Sequence, residues 1–266
     1  MRKNMTQIAL GTKIDHIGSR TIVPILNDKM SVSMKTFEEI MSPQGVEVNI
    51  MPVVGDAASM KVDVSDLPPV IPVLALRNAV IFPGTVFPVT VGREKSIRLV
   101  SDVEDGKGWL AAFPQTDISV EDPSEADLNH FGTVCKLIKT LEMPDGTVTA
   151  ILQGASLAEL QEIVSSDPYM EGRVRYLDEN IPADCDEREL RVLADSLKEK
   201  AALIVKSSSF APKEAIGALR SIDNFHFLVN FIATTIEVEN FQERTNLLSI
   251  TDVHERGLAL LRVLDT

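Results

Sequence analysis

Short hydrophobic runs of strand length occupy the middle of the chain, and one of them, Tyr169–Leu177, alternates hydrophobic and polar positions with a period of two, which is typical of a half-exposed strand. Six runs rich in β-branched or aromatic residues are predicted as strands: Val70–Leu76, Asn78–Val91, Trp109–Phe113, Gly132–Met143, Thr147–Leu152 and Tyr169–Leu177. Pro83 and Pro88 interrupt the second run. Because proline cannot donate to a ladder, this run must kink, bulge or lie at a sheet edge. Pro144-Asp145-Gly146 is predicted as a hairpin turn between the fourth and fifth runs.

The period changes to about 3.6 after Asp186, which predicts amphipathic helices for the rest of the chain. Five are predicted: 186–204, 212–222, 223–237, 240–250 and one that Asp252 opens, besides an earlier helix over 93–103. Asp252 and Glu255 resemble a capping box, and the last helix is predicted to turn Leu258, Leu261 and Leu264 inward. Its pattern is still running at Thr266, which favours a fragment of a longer polypeptide over a short C-terminal helix.

Residues 1–67 show only weak periodicity. Short strands are expected within Thr21–Leu26 and Val46–Val54, and one or two helical turns over Lys35–Met41. The segment ends at Asp66-Leu67-Pro68-Pro69, where two prolines forbid a continuing helix. The predicted organisation is an N-terminal extension (1–67), a β-rich subdomain (68–180) and a helical subdomain (181–266), an α+β chain.

Charge restricts the possible partners. Lys and Arg number 26 against 39 Asp and Glu, so the net charge is −13, nearly all of it in residues 68–266. Nucleic acids and anionic membranes require a basic face, and 5% aromatic residues are few for base stacking. We expect neither partner. Cys135 and Cys185, which form no CxxC pair, favour reduced thiols and a cytoplasmic location, with a disulfide as the alternative.

Sequence motifs for catalysis or metal binding are incomplete. His254-Glu255 opens like a zinc-protease helix, but Leu258 stands where the second histidine is needed. Gly154-Ala155-Ser156-Leu157-Ala158 lacks the last glycine of a nucleophile elbow. Acidic clusters at 121–127 and 178–189 lack the calcium-loop spacing. The expected chain has no catalytic residue, metal site or cofactor, which indicates a binding or assembly module.

Three stretches carry a family resemblance: Pro72–Gly84 continued by Phe87–Ile97, Phe131–Val134 with Met143–Val148, and Leu248–Arg256. Together they resemble the N-terminal substrate-recognition domain of the Lon family of ATP-dependent proteases. The resemblance spans about residues 69–266 in the family's order and does not cover 1–67. It departs from the family at Asn78, where an acid is usual, and at 154–158, where the family has an arginine-containing strand.

The resemblance implies a PUA-like, mostly antiparallel β-barrel subdomain followed by a helical bundle that leads into a long helix. It implies capture of unfolded or damaged proteins and assembly of a hexamer. ATP and magnesium would belong to an ATPase module, and catalysis to a Ser–Lys protease module, neither of which matches any part of this chain. The alternatives are a free-standing LON-domain binding module, an RNA-binding PUA-like protein and an unrecognised hydrolase.

Phe82, Pro83, Val86 and Phe87 are the candidate substrate-binding residues. Unfolded chains present apolar groups that folded ones bury, so capture requires exposed apolar side chains. The prolines in this stretch prevent regular pairing, so some of its side chains can remain accessible. Packing in the barrel core is the competing interpretation of the same residues.

Overall fold

A computed structural model describes residues 20–22, 47–49, 67–106, 108–207, 213–235 and 241–265. In the N-terminal segment, β1 (Arg20–Ile22) pairs in parallel with β2 (Glu47–Asn49). Both strands overlap the short strands predicted there. The helical turns predicted over 35–41 lie outside the described residues.

Six strands form the main sheet: β3 (Val70–Leu76), β4 (Val86–Val91), β5 (Trp109–Pro114), β6 (Phe131–Glu142), β7 (Val148–Ser165) and β8 (Glu171–Leu177). The strand order is β4-β7-β6-β5-β3-β8, and only β3 and β5 are parallel. β7 has 18 residues and pairs with β6, β4 and β8. The pairings therefore run from β7 through β6, β5, β3 and β8 and return to β7.

The predicted hairpin is confirmed. β6 and β7 are joined by the Met143–Thr147 turn, in which the Met143 N–H donates to the Thr147 carbonyl at 2.8 Å. Gly146 has a φ of +83°, a conformation that glycine adopts without a steric penalty. The prediction that β7 ends at Leu152 is wrong, because the strand continues through the glycine at 154 as far as Ser165.

Helix α1 (Glu94–Asp105) crosses from β4 to β5 and buries Leu99, Val100 and Val103 against the sheet. The remaining helices follow the sheet: α2 (Glu187–Ser207), α3 (Lys213–Arg220), α4 (Phe225–Thr235), α5 (Phe241–Asn246) and α6 (Val253–Val263). A 3₁₀ turn, Leu247–Ser249, lies between the last two. These elements agree with the predicted change from period two to period 3.6.

Asp252 caps α6, since its carboxylate accepts hydrogen bonds from the backbone N–H groups of His254 and Glu255. The apolar face predicted for this helix is partly wrong. Leu258 is 37% exposed, whereas Val253 and Leu260 are buried. Leu264 is buried as predicted and Leu261 is partly buried against the same core, so the prediction is wrong for Leu258 alone.

The helices and the sheet share a hydrophobic core. Its largest cluster contains side chains of the helices together with three from the β-rich part: Val80, Phe82 and Leu157. Two further clusters lie within the β-rich part, one beneath α1 and one around Ile71 and Phe113. The segment from Val80 to Thr85 thus stands between the two halves of the fold. Among the described residues, no helix is long and apolar enough to cross a membrane.

Candidate functional site

The four predicted substrate-contact residues fall into two pairs. Phe82 is fully buried in the core shared with the helices, and Pro83 is buried beside it. For these two side chains the competing interpretation, packing in the core, agrees with the structure, because the helical part of the chain packs over them. Val86 and Phe87 are half-buried at the start of β4, and contact with substrate there stays a prediction.

The loop from Phe82 to Thr85 is fixed at both ends. The Phe82 N–H donates to the Thr234 hydroxyl of α4 at 3.1 Å, and the Thr85 hydroxyl donates to the Phe82 carbonyl at 2.6 Å. Gly84 turns the chain with a φ of +79°, and its N–H donates to the Gly154 carbonyl at 2.9 Å. The loop is thus held between β7 and α4.

Gly154 permits this contact. A Cβ atom at this position would lie 2.4 Å from the Phe82 carbonyl oxygen, a distance that no real side chain tolerates. The glycine that interrupts the sequence pattern is therefore needed where β7 passes directly beneath the loop.

A buried polar cluster lies beneath this loop. The Arg256 guanidinium of α6 has no exposed surface and pairs with the Glu179 carboxylate, whose side chain is 7% exposed. It also donates to the Asn230 amide oxygen at 2.6 Å and, through Nε, to the Ile250 carbonyl at 2.9 Å. The Phe82 ring lies 5.3 Å from the guanidinium carbon, in the geometry of a cation–π contact.

Asn230 and Glu179 connect the cluster to the loop and to the segment after β8. The Asn230 amide donates to the Pro83 carbonyl and to the Glu179 carboxylate, both at 3.1 Å. The His226 imidazole lies 3.0 Å from the other Glu179 oxygen. Burial raises the pKa of the Glu179 carboxyl, but the hydrogen bond from His226 and the charge of Arg256 outweigh it, so its pKa lies below the ordinary value.

The sequence reasoning did not identify this cluster. Arg256 stands three residues after Val253 and four before Leu260, on the buried face of α6. A charged residue at helical spacing among apolar ones is a signal of a buried ion pair, since buried charges are paired. Nothing in the sequence identifies Glu179 as its partner, because 77 residues separate the two.

Three other residues have side chains with potential chemistry: Ser156, Cys135 and Cys185. The Ser156 hydroxyl lies within β7 and donates to the Leu157 carbonyl at 3.1 Å. Cys135 and Cys185 are both free, and burial raises the pKa of each thiol. The described part of the chain contains no group of three or more His, Cys, Asp or Glu residues that could hold a metal ion.

Comparison with known families and structures gives consistent results. The family model of the ATP-dependent protease La (LON) substrate-binding domain matches residues 70–266. A Lon protease of Flavobacterium johnsoniae is 37% identical over 219 residues, which cover 82% of this chain and 27% of that protein. A Lon protease of Porphyromonas gingivalis is 37% identical over 194 residues, covering 73% of this chain and 23% of that protein.

The fold also matches. The N-terminal domain of a Mycobacterium avium complex Lon protease aligns with a TM-score of 0.56 at 21% identity, covering 74% of this chain and 98% of that one. The chain spans about a quarter of the length of the curated relatives it matches. The match to the Flavobacterium protein is longer than residues 68–266, so the similarity extends into the first 67 residues, contrary to the expectation from the motifs. The chain belongs to the family of LON substrate-binding domains of ATP-dependent protease La.

Proposed function

We propose that this chain is the substrate-recognition and assembly part of a Lon-type ATP-dependent protease that captures unfolded or damaged proteins. The family match over residues 70–266 carries the proposal. In this proposal, ATP and magnesium act in an ATPase module and peptide cleavage occurs in a Ser–Lys protease module, both outside the 266 residues. The full-length protein is a cytoplasmic hexamer. The circuit of pairings that returns to β7 supports the PUA-like barrel that the resemblance implies.

Val86 and Phe87 support capture through apolar contact. They are half-buried, and the stretch 78–92 around them has no charged residue in a chain that is 24% charged. Phe87 packs against the core beneath α1, and the part of this apolar surface that stays accessible is suited to unfolded chains, which present their apolar side chains. Since the chain carries −13, electrostatic attraction adds to binding only for basic clients.

Binding of matched folded and unfolded proteins tests the proposal. The 266-residue chain is immobilised and titrated with native lysozyme and with lysozyme whose cysteines have been reduced and capped with neutral groups. Both forms have almost the same charge, so a preference for the unfolded form measures exposed apolar surface. We expect at least about tenfold tighter binding of the unfolded form, equivalent to about 1.4 kcal/mol. Equal binding of the two forms, or none, would contradict capture.

A variant pair locates the surface. Phe87→Ser removes a half-buried apolar side chain from the proposed surface, and we expect several-fold weaker capture. Val164→Ser is the matched control, because it too replaces an apolar side chain by serine. Val164 is 44% exposed and lies near the end of β7 that does not pair with β4. Equal losses in the two variants would mean that capture is not localised at β4.

A further inference from the structure

Strand β4 has a free edge. It stands at the end of the strand order and pairs with β7, with no described strand on its other side. Natural sheets usually protect such edges with charged side chains, prolines or bulges. The run 78–92 contains no charge, so Pro88 is the only protective residue within this strand.

The start of β4 determines which of its backbone N–H and carbonyl groups point toward β7 and which point outward. The Gly154 N–H of β7 donates to the Thr85 carbonyl at 2.8 Å, so this carbonyl faces β7, while the Thr85 N–H donates to the Phe82 carbonyl at 3.3 Å. Because the direction of the backbone groups alternates along a strand, the N–H and carbonyl groups of Phe87, Val89 and Val91 face β7 as well. The outward groups belong to Val86, Pro88 and Thr90. Proline, which lacks an N–H, accordingly lies at an outward position.

This edge is preformed. Val89 and Val91 are buried in the core beneath α1 and hold the strand in place, whereas Thr90 is exposed. The outward face of the strand therefore offers the N–H groups of Val86 and Thr90, with three carbonyls around them. A partner that pairs here does not have to order the edge first, which lowers the entropic cost of binding.

We propose that β4 binds an extended, uncharged segment of an unfolded polypeptide as an added strand, with backbone hydrogen bonds on both sides of Pro88. This proposal rests on the proposed function, capture of unfolded proteins, and specifies how the captured chain is bound. Strand addition supplies affinity through main-chain bonds, which any sequence can make, and is therefore suited to clients that share no motif. The missing N–H at Pro88 limits both affinity and permanent self-association.

A second copy of this chain is the less suitable occupant. In an antiparallel pair of two β4 strands centred on Pro88, the two prolines face each other, and neither carbonyl at that pair receives a hydrogen bond. Two copies would also bring together chains that each carry −13. An unfolded segment with an ordinary residue opposite Pro88 leaves fewer groups unpaired and adds no repulsion.

Backbone methylation of the bound peptide tests the proposal directly. The full chain is titrated with a fluorescein-labelled peptide of about ten residues that alternates valine and threonine, and with its counterpart methylated on every backbone nitrogen. The counterpart keeps all the side chains but has lost its N–H donors. We expect at least about tenfold weaker binding of the methylated peptide, because several hydrogen bonds are lost together. Equal affinities would overturn strand addition.

Two variants of β4 should change the affinity in opposite directions. Thr90→Pro removes an outward N–H and should weaken peptide binding by roughly three- to tenfold, whereas Pro88→Val adds a donor and should strengthen it. Thr90→Val, which keeps the N–H, is the matched control and should bind like the native chain. Thermal unfolding establishes that each variant folds. Should one fail to fold, the peptide pair on the native chain still decides the question.

The possible outcomes distinguish strand addition at β4 from capture of unfolded proteins in general. If the chain prefers unfolded lysozyme but does not distinguish the methylated peptide, capture stands and strand addition is wrong. If the chain ignores unfolded lysozyme and both peptides, both proposals fall. Dimerisation that increases in Pro88→Val without any gain in peptide affinity would make a second copy the occupant and overturn the proposal.

Discussion

Replacing Arg256 with methionine should break the connection between the sheet and the helices. The substitution keeps an unbranched side chain of similar length but removes the charge and all the donors. Glu179 is then left as a buried carboxylate with Asn230 and His226, and the Ile250 carbonyl loses the donor at 2.9 Å. Removing one partner of a buried ion pair costs about 3–5 kcal/mol, whereas typical domains are stable by about 5–15 kcal/mol.

Urea unfolding followed by two probes measures the effect. The chain has one tryptophan, Trp109 in β5, so its fluorescence reports on the sheet, while far-ultraviolet circular dichroism reports mainly on the helices. At a slope of about 2–3 kcal/mol per molar urea, we expect the midpoint to fall by roughly 1–2 M. In the native chain the two probes should change together, since Phe82 and the helices share one core.

Two controls make this prediction refutable. Arg173→Met breaks a surface pair with Glu162 at 2.9 Å, whose side chains are 53% and 57% exposed, and should cost less than about 1 kcal/mol. Combining Arg256→Met with Glu179→Gln should cost less than the two single losses together, because no buried charge is left unpaired. An Arg256→Met chain within about 1 kcal/mol of the native stability would refute the reasoning, as would strict additivity.

Two further predictions concern Glu179 and Gly154. The pKa of the Glu179 carboxyl is depressed in the folded chain, so its stabilising effect is present above the unfolded pKa of about 4.3 and is lost as the pH falls through the folded pKa. The urea midpoint should therefore fall less between about pH 5 and pH 3 in Glu179→Gln than in the native chain. An equal fall in both chains would contradict this. Gly154→Ala should lower the free energy of unfolding by about 1–3 kcal/mol, because the new Cβ meets the Phe82 carbonyl. Gly217→Ala, which lies in open space on α3, should raise it by up to about 1 kcal/mol. Equal effects of the two substitutions in urea unfolding would argue against the close contact.

Local patterns predicted the local elements well. Val70–Leu76 has its predicted bounds, and the hairpin follows from the turn preferences of proline, aspartate and glycine. Pro83 and Pro88 left three alternatives open for their run, a kink, a bulge or a sheet edge, and β4 with Pro88 lies at an edge. These results depend on interactions between residues close in sequence, which period and turn chemistry describe.

The errors concern contacts between distant residues. β7 continues past Gly154 because it pairs there with β6 and β8, and the glycine makes room for the Phe82 loop, 72 positions away in sequence. The burial of Phe82 depends on helices that follow more than 100 residues later, as its hydrogen bond to Thr234 shows. Composition identified an apolar run, but a single sequence does not tell which of its side chains the helices cover.

The shared core also has a consequence for the order of synthesis. Phe82 and Arg256 are 174 positions apart, so at about 5–20 residues per second the ribosome needs on the order of ten seconds or more to make the second after the first. For the last 76 positions of that interval, after residue 180, the β-rich part is complete, while Val80, Phe82 and Leu157 lack the helices that cover them. A nascent chain at this stage presents the kind of apolar surface that chaperones bind. Docking of α4 and α6 onto these side chains removes that surface.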